Sequence, residues 1–117
     1  GPLVQGQLPS NIFRLQQIRN NNDQQRISLY KEIEDACLSL QASAEEHHQA
    51  KLQLQAAATT LKENEEKWEE GMVSVFELME KRNLYIQAKA ELARTRLQYD
   101  LKHRMVEFYR TGSFLVK

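Results

Sequence analysis

The chain has 117 residues, of which 41% are hydrophobic and 27% charged, with 16 basic and 16 acidic side chains. This length suits one domain or part of one. The formal net charge of zero argues against nucleic acid or an anionic membrane surface as a partner. No apolar run approaches the ~20 residues that a membrane-spanning helix needs. Gly and Pro number only 4 and 2, whereas Ala, Leu, Gln, Glu, Lys and Arg fill the middle, which is typical of long helices.

Breakers and capping residues divide the chain into segments. Both prolines and two glycines lie in residues 1–9, which lack periodicity. Ser10 can cap a helix that follows it, and the poor helix formers at 20–23 leave open whether that helix is interrupted. The predicted segments are a tag or linker (1–9), a long helix (10–70), a tip turn (71–74), a second helix (75–111) and a tail (112–117) that is extended or irregular at 113–116.

The stretch between the two helices joins a helix stop to a helix start. Gly71 can take the left-handed backbone conformation that closes a helix without a Cβ clash. Ser74 followed three residues later by Glu77 is a capping box, in which each side chain bonds a free N–H of the new first turn. Because only Met72 and Val73 lie between these signals, the flanking helices are predicted to return alongside each other as an antiparallel hairpin.

Apolar residues recur every 3.5 positions on the first helix, as in a coiled coil. Its main seam is predicted to combine two heptad rows. Cys37 lies in the first of these rows, and we expect it to be a small core residue rather than a reactive thiol. A third row, of small residues, predicts a second neighbouring helix. The main rows are Tyr30, Cys37, Ala44, Lys51, Ala58, Glu65 and Met72, and Ile33, Leu40, His47, Leu54, Leu61 and Trp68; the third is Leu29, Ala36, Ala50 and Ala57.

The second helix also carries two apolar rows. They are Leu78, Tyr85, Leu92, Tyr99 and Val106, and Phe76, Met79, Ile86, Ala90, Ala93 and Leu97. At ~1.5 Å per residue the two arms would be about 90 Å and 55 Å long. The start of the long arm would lack a partner within the chain, although long helices are stable chiefly through packing. The predicted fold is an all-α, coiled-coil-like antiparallel hairpin with unequal arms that self-associates or belongs to a larger assembly.

Residues for catalysis or metal binding are not grouped in the sequence. His47 and His48 are adjacent and would point about 100° apart on a helix, and His103 stands alone. The acidic run at 63–70 is interpreted as a solvated helix face, although negative charge there opposes the helix dipole. With no glycine-rich phosphate loop and no nucleophile beside a base, we expect no enzymatic activity, no cofactor and no metal.

Gly71, Ser74 and Glu77 stand three residues apart at the head of an alanine-containing helix. Further stretches accompany this turn in a fixed order: 75–80, Asn83, 87–93, Arg96, Tyr99, 108–112 and, upstream, 29–36. Together they resemble the TolC-like outer membrane efflux protein family, in which a turn of this spacing precedes such a helix. The resemblance extends over residues 11–113.

Members of this family are trimers, and each protomer adds strands to an outer membrane β-barrel and helices to a long periplasmic α-barrel. Each of their repeats holds a full-length helix, a tip turn and a half-length helix. The resemblance therefore implies that this chain is the second-repeat hairpin of a protein of the bacterial outer membrane. This segment of the protein would lie in the periplasm. It also implies a passive export duct whose partners are a periplasmic adaptor (membrane fusion) protein and an inner membrane pump.

The resemblance further assigns roles around the tip. The adaptor-docking residues would be Gly71, Met72, Val73 and Ser74. Glu77 and Glu80 fall where the family has two aspartates that ring the periplasmic entrance, and Trp68 lies near an aromatic residue that latches it. Three copies would place six carboxylates around an axis, where they could hold cations. Val73 stands where some members have a basic latch residue, which puts such a latch in doubt here.

Two other readings stay open on the residues alone. A coiled-coil scaffold or interaction module unrelated to transport would need only one apolar row per helix, whereas both helices carry two. The hairpin of an adaptor protein itself would be flanked by lipoyl-type β segments, which are absent from this sequence.

Overall fold

The chain folds into two long helices. The computed structural model describes the backbone of residues 2–112 and the side chains of residues 10–112. Helix α1 spans Pro2–Glu69 and helix α2 spans Val75–Thr111, with lengths of 68 and 37 residues. They form an extended antiparallel hairpin, with no strand among the described residues. The predicted all-α hairpin with unequal arms is confirmed.

The helix bounds differ from the prediction mainly at the N-terminus. Helix α2 has the predicted bounds, and α1 ends one residue early. Helix α1 begins at Pro2 instead of the predicted Ser10, and a proline at the first helical position is tolerated because its missing N–H is not needed there. Helix α1 also continues through residues 20–23. The irregular stretch predicted at 113–116 lies outside the described residues, and the tag or linker at 1–9 stays a prediction.

The chain forms two compact units, residues 1–35 and residues 36–117. In the first unit, every described side chain is exposed except Ile33, which is half-buried. The exposed side chains include large apolar ones, namely Ile12, Phe13, Leu15, Ile18, Ile27, Leu29 and Tyr30. This apolar surface is what a packing partner would cover.

The second unit holds the hairpin seam. Its buried and half-buried positions step by three and four residues on both helices, as in a coiled coil. Those on this spacing are Ala36, Leu40, Ser43, His47, Ala50, Leu54, Ala57, Leu61 and Asn64 on α1, and Leu78, Lys81, Tyr85, Ala88, Leu92, Thr95, Tyr99, Lys102 and Val106 on α2, and further half-buried residues such as Thr60 and Gln98 lie beside it. His47 meets Thr95 across the seam, and the two are equally far from Gly71 along the chain. Residues at equal distances from Gly71 therefore lie level with each other.

The prediction that the row of Cys37 lies in the seam is wrong. The row of His47 and Leu54 does face α2, but its neighbour in the seam is the small-residue row that contains Ala50 and Ala57. The row of Cys37 lies on the other side of His47, and Cys37 is exposed. The expected burial of Cys37 is therefore wrong, because the hairpin closes on the opposite flank of the predicted seam.

Of the two predicted rows of α2, one is buried in the seam and the other is exposed. The row that begins at Leu78 lies in the seam, where Leu78 is 4% exposed. The row from Phe76 to Leu97 is exposed, with values of 83% for Phe76, 61% for Ile86 and 62% for Leu97. In the part of the chain that the structure describes, α2 thus keeps a second apolar row that α1 does not cover.

The seam assignment can be tested with two alanines of α2. Ala88 is 5% exposed, whereas Ala90 is exposed. We expect Ala88→Leu to lower the free energy of unfolding by about 1–3 kcal/mol, because the larger side chain is forced into a packed seam. Ala90→Leu is the matched control and should change it by less than about 0.5 kcal/mol. Urea denaturation followed by circular dichroism measures both, and equal effects would contradict the seam.

Candidate functional site at the hairpin tip

The end of α1 is closed by a Schellman motif. Gly71 has φ of 72°, in the left-handed region. The Gly71 N–H donates to the carbonyl of Trp68 at 3.0 Å, and the Met72 N–H donates to the carbonyl of Lys67 at 2.8 Å. These bonds satisfy carbonyls that the last turn of a helix leaves free. The helix stop predicted at Gly71 is confirmed.

The start of α2 is capped by Ser74. Its backbone is extended, with φ of −77° and ψ of 161°, and its Oγ accepts from the Glu77 N–H at 3.2 Å. A return bond from the Ser74 N–H to the Glu77 carboxylate is not among the hydrogen bonds of the described residues. Half of the predicted capping box therefore forms, and the Glu77 side chain stays exposed.

The tip exposes a group of large apolar side chains, which we call the tip surface. Its members are Trp68 at 46% exposure, Met72 at 68%, Val75 at 50%, Phe76 at 83% and Met79 at 50%. Among the residues predicted to dock a partner, Gly71, Met72 and Ser74 are exposed, whereas Val73 is half-buried. Sequence reasoning did not include Phe76 in this group, although its place two residues after the cap Ser74 puts it at the very end of the hairpin.

Glu77 and Glu80 lie together on one side of α2. They are three residues apart and both exposed, and the Glu80 Oε1 is 3.9 Å from the Lys81 Nζ. Phe76 and Met79 share a different side, about 100° around the helix. The first turns of α2 thus present an acidic side and an apolar side next to each other.

The acidic side leads into a groove. Positions 84, 87, 91 and 94 continue the spacing of Glu77 and Glu80 along α2, and they line a shallow groove of about 830 Å³ between the helices. Its floor is made of small or aliphatic side chains, including Ala50, Ala57 and Ala88. The charged residues around it are Glu45, Glu46, Lys81, Glu91 and Arg94.

Arg94 pairs with two of the acidic residues that border this groove. Its Nη2 is 2.6 Å from the Glu91 Oε1 and its Nε is 3.0 Å from the Glu91 Oε2, a two-bond pairing. It also lies 4.0 Å from Glu46 on the other helix. Hydrogen bonding to Arg94 lowers the pKa of Glu91, and the same bond raises the pKa of Arg94. Both groups are on the surface, so the pair fixes local charge more than it stabilises the fold.

The described residues form neither a metal site nor a membrane-spanning stretch. The described part of the chain contains no group of His, Cys, Asp and Glu side chains placed to hold a metal ion. Neither helix has, within its described residues, a stretch apolar enough to cross a membrane. Of the adjacent histidines, His48 is exposed and His47 lies in the seam.

Comparison with protein-family models, curated proteins and solved structures gives no match to this chain. The resemblance to TolC-like proteins therefore depends on the residues of the tip and the flanking helices alone.

The tip turn can be tested at Gly71. A Cβ there would meet no atom within 4 Å, so a substitution changes only the backbone preference. Gly71→Ala should lower the free energy of unfolding by about 1–2 kcal/mol, because alanine resists a left-handed backbone. Gly71→Asn should cost less, since asparagine tolerates that conformation. Thermal unfolding measures both, and an alanine variant as stable as the wild type would refute the role of Gly71.

Proposed function

We propose that this chain is the periplasmic tip hairpin of a TolC-like outer membrane export duct. In this function it contributes two helices to the duct wall and docks an adaptor protein at its tip. The proposal is carried by the second, exposed apolar row of α2, from Phe76 to Leu97. A hairpin that needed only its own seam would leave that side polar, whereas a wall of parallel helices covers both edges of every hairpin.

At two levels, the two edges of the hairpin carry side chains of complementary size. If hairpins stand side by side with their tips at the same end, residues equally far from Gly71 lie level across the new contact. Ile86 of one hairpin is then level with Ala56 of the next, and Ala90 is level with Leu52. A large residue opposite a small one in each pair favours close packing of neighbouring helices. This supports lateral packing as the use of the exposed row.

The tip surface supports docking of a partner at the end of the hairpin. Phe76 and Met72 are its most exposed members, at 83% and 68%. Burying each of them in a partner would contribute about 1.5–3 kcal/mol from the removal of apolar surface from water. The turn that carries them is fixed by the Gly71 and Ser74 motifs, so little conformational entropy would be lost on binding.

Glu77 and Glu80 support a charged entrance in the proposed duct. They share one side of α2 with the groove that Glu91 borders. If this side faces the duct, three copies of the pair would gather six carboxylates near the tip. Like charges held close together favour a bound cation that offsets them.

Docking can be tested in the full-length protein with Met72→Ser combined with Phe76→Ser. Both side chains are exposed, so the hairpin should keep its stability while efflux and crosslinking to the adaptor fall. Leu101→Ser is the control, because Leu101 is 55% exposed on α2 but far from the tip. Drug susceptibility is read together with the amount of assembled trimer. Unchanged susceptibility in the double variant would count against docking at this surface.

The entrance can be tested with Glu77→Gln combined with Glu80→Gln. We expect weaker block of single-channel current by divalent cations, because the carboxylates that would hold the cation are gone. The control pair Glu66→Gln and Glu69→Gln removes the same charge from α1, where both residues are exposed. An identical block in the wild type and the Glu77 and Glu80 variant would exclude these residues from the entrance.

A further inference from the structure

The middle of the hairpin seam is polar. Ser43 and Thr95 are the most buried of the described residues, at 1% and 2% exposure. Each is satisfied within its own helix: the Ser43 Oγ donates to the carbonyl of Leu40 at 2.9 Å, and the Thr95 Oγ1 lies 2.9 Å and 3.0 Å from the carbonyls of Glu91 and Leu92. Their burial therefore leaves no unpaired hydroxyl.

His47 connects this polar layer across the seam. Its Nδ1 is 3.2 Å from the Thr95 Oγ1. Because the single proton of the Thr95 hydroxyl is directed to backbone carbonyls, the hydroxyl oxygen accepts and the His47 Nδ1–H donates. The His47 ring also stacks on Tyr99, with centroids 6.3 Å apart and planes 12° from parallel. His47 thus contacts two residues of α2 that lie one helical turn apart.

Polar contacts between the helices are confined to this level. Over the described residues, the hydrogen bond of His47 with Thr95 and the 4.0 Å ion pair of Glu46 with Arg94 are the ones that cross the seam. Between His47 and Asn64, the α1 side of the seam repeats alanine and leucine every seven residues, as in Ala50 and Ala57. A slide of one heptad would replace alanine by alanine and leucine by leucine, so those rows discriminate weakly between registers.

We infer that the layer of Ser43, His47, Thr95 and Tyr99 is a register lock, which holds α1 and α2 against a slide of one heptad. After such a slide Thr95 would be level with Leu40 or Leu54, and the half-buried His47 N–H would lose its acceptor. The capping motifs set the register at the tip, and the lock sets it at a second, distant level. A polar residue in an apolar seam has this specifying effect in coiled coils. The inference does not depend on the proposed export function.

Spin-label distances in the full chain test the lock. Cys37, which is exposed, is replaced by serine, and labels are placed at Gln55 on α1 and Arg96 on α2, both exposed. The wild-type layer should give one distance. Thr95→Val or His47→Leu should add a second population, displaced along the helix axis by about 10 Å, which is one heptad at ~1.5 Å per residue. Labelled chains are diluted with unlabelled ones so that only distances within a chain are read.

Thr59→Val is the matched control. Thr59 bonds the carbonyl of Gln55 within its own helix, much as Thr95 bonds that of Glu91, but it is exposed and has no hydrogen bond to α2 among the described residues. It should leave one distance. The lock variants should keep their helical content and melting temperature, because apolar residues replace polar ones in the seam. One unchanged distance in both variants, or loss of folding in place of a second register, would overturn the lock.

Discussion

The left-handed backbone at Gly71, with the cap at Ser74 three residues later, is the constraint on which the hairpin depends. So short a reversal sets the register next to the tip, where each residue of α1 is level with the α2 residue equally far from Gly71. His47 and Thr95, far from the tip, meet in the same register. The same constraint selects which rows of each helix face each other, and so decides which apolar residues are buried and which are left outside.

This dependence explains what the sequence could predict of the fold. The breakers and caps are local signals, so the tip and both ends of α2 could be located, and the α2 row of Leu78 could be recognised from its period. The choice between rows on α1 could not be made in the same way. Apolar residues occupy neighbouring rows there, and a single helix carries no information about which flank its partner approaches. Cys37 was misplaced for this reason.

The candidate site was predictable to a similar extent. Residues that carry a turn motif, such as Ser74 and Glu77, could be assigned roles through a family resemblance. Phe76 could not, because an aromatic residue at heptad spacing resembles a core residue until the packed row is known. Ser43 and Thr95 gave no signal either. A polar residue in a heptad row suggests exposure. Hydroxyl side chains that bond carbonyls of their own helix can nevertheless be buried without a partner elsewhere.

The two apolar rows of α2 lie about 100° or more apart around the helix, so α1 alone cannot cover both of them. Helix α2 buries the row of Leu78 against α1, and its row of Ile86 and Leu97 stays outside. In the proposed duct, a neighbouring hairpin covers this row with its other edge and leaves its own row uncovered, so such contacts would continue until they close on themselves. A closed ring is the finite arrangement in which no edge remains. In the proposed duct the tip would lie at the rim of that ring, with the acidic side of α2 and its apolar side turned towards different surroundings.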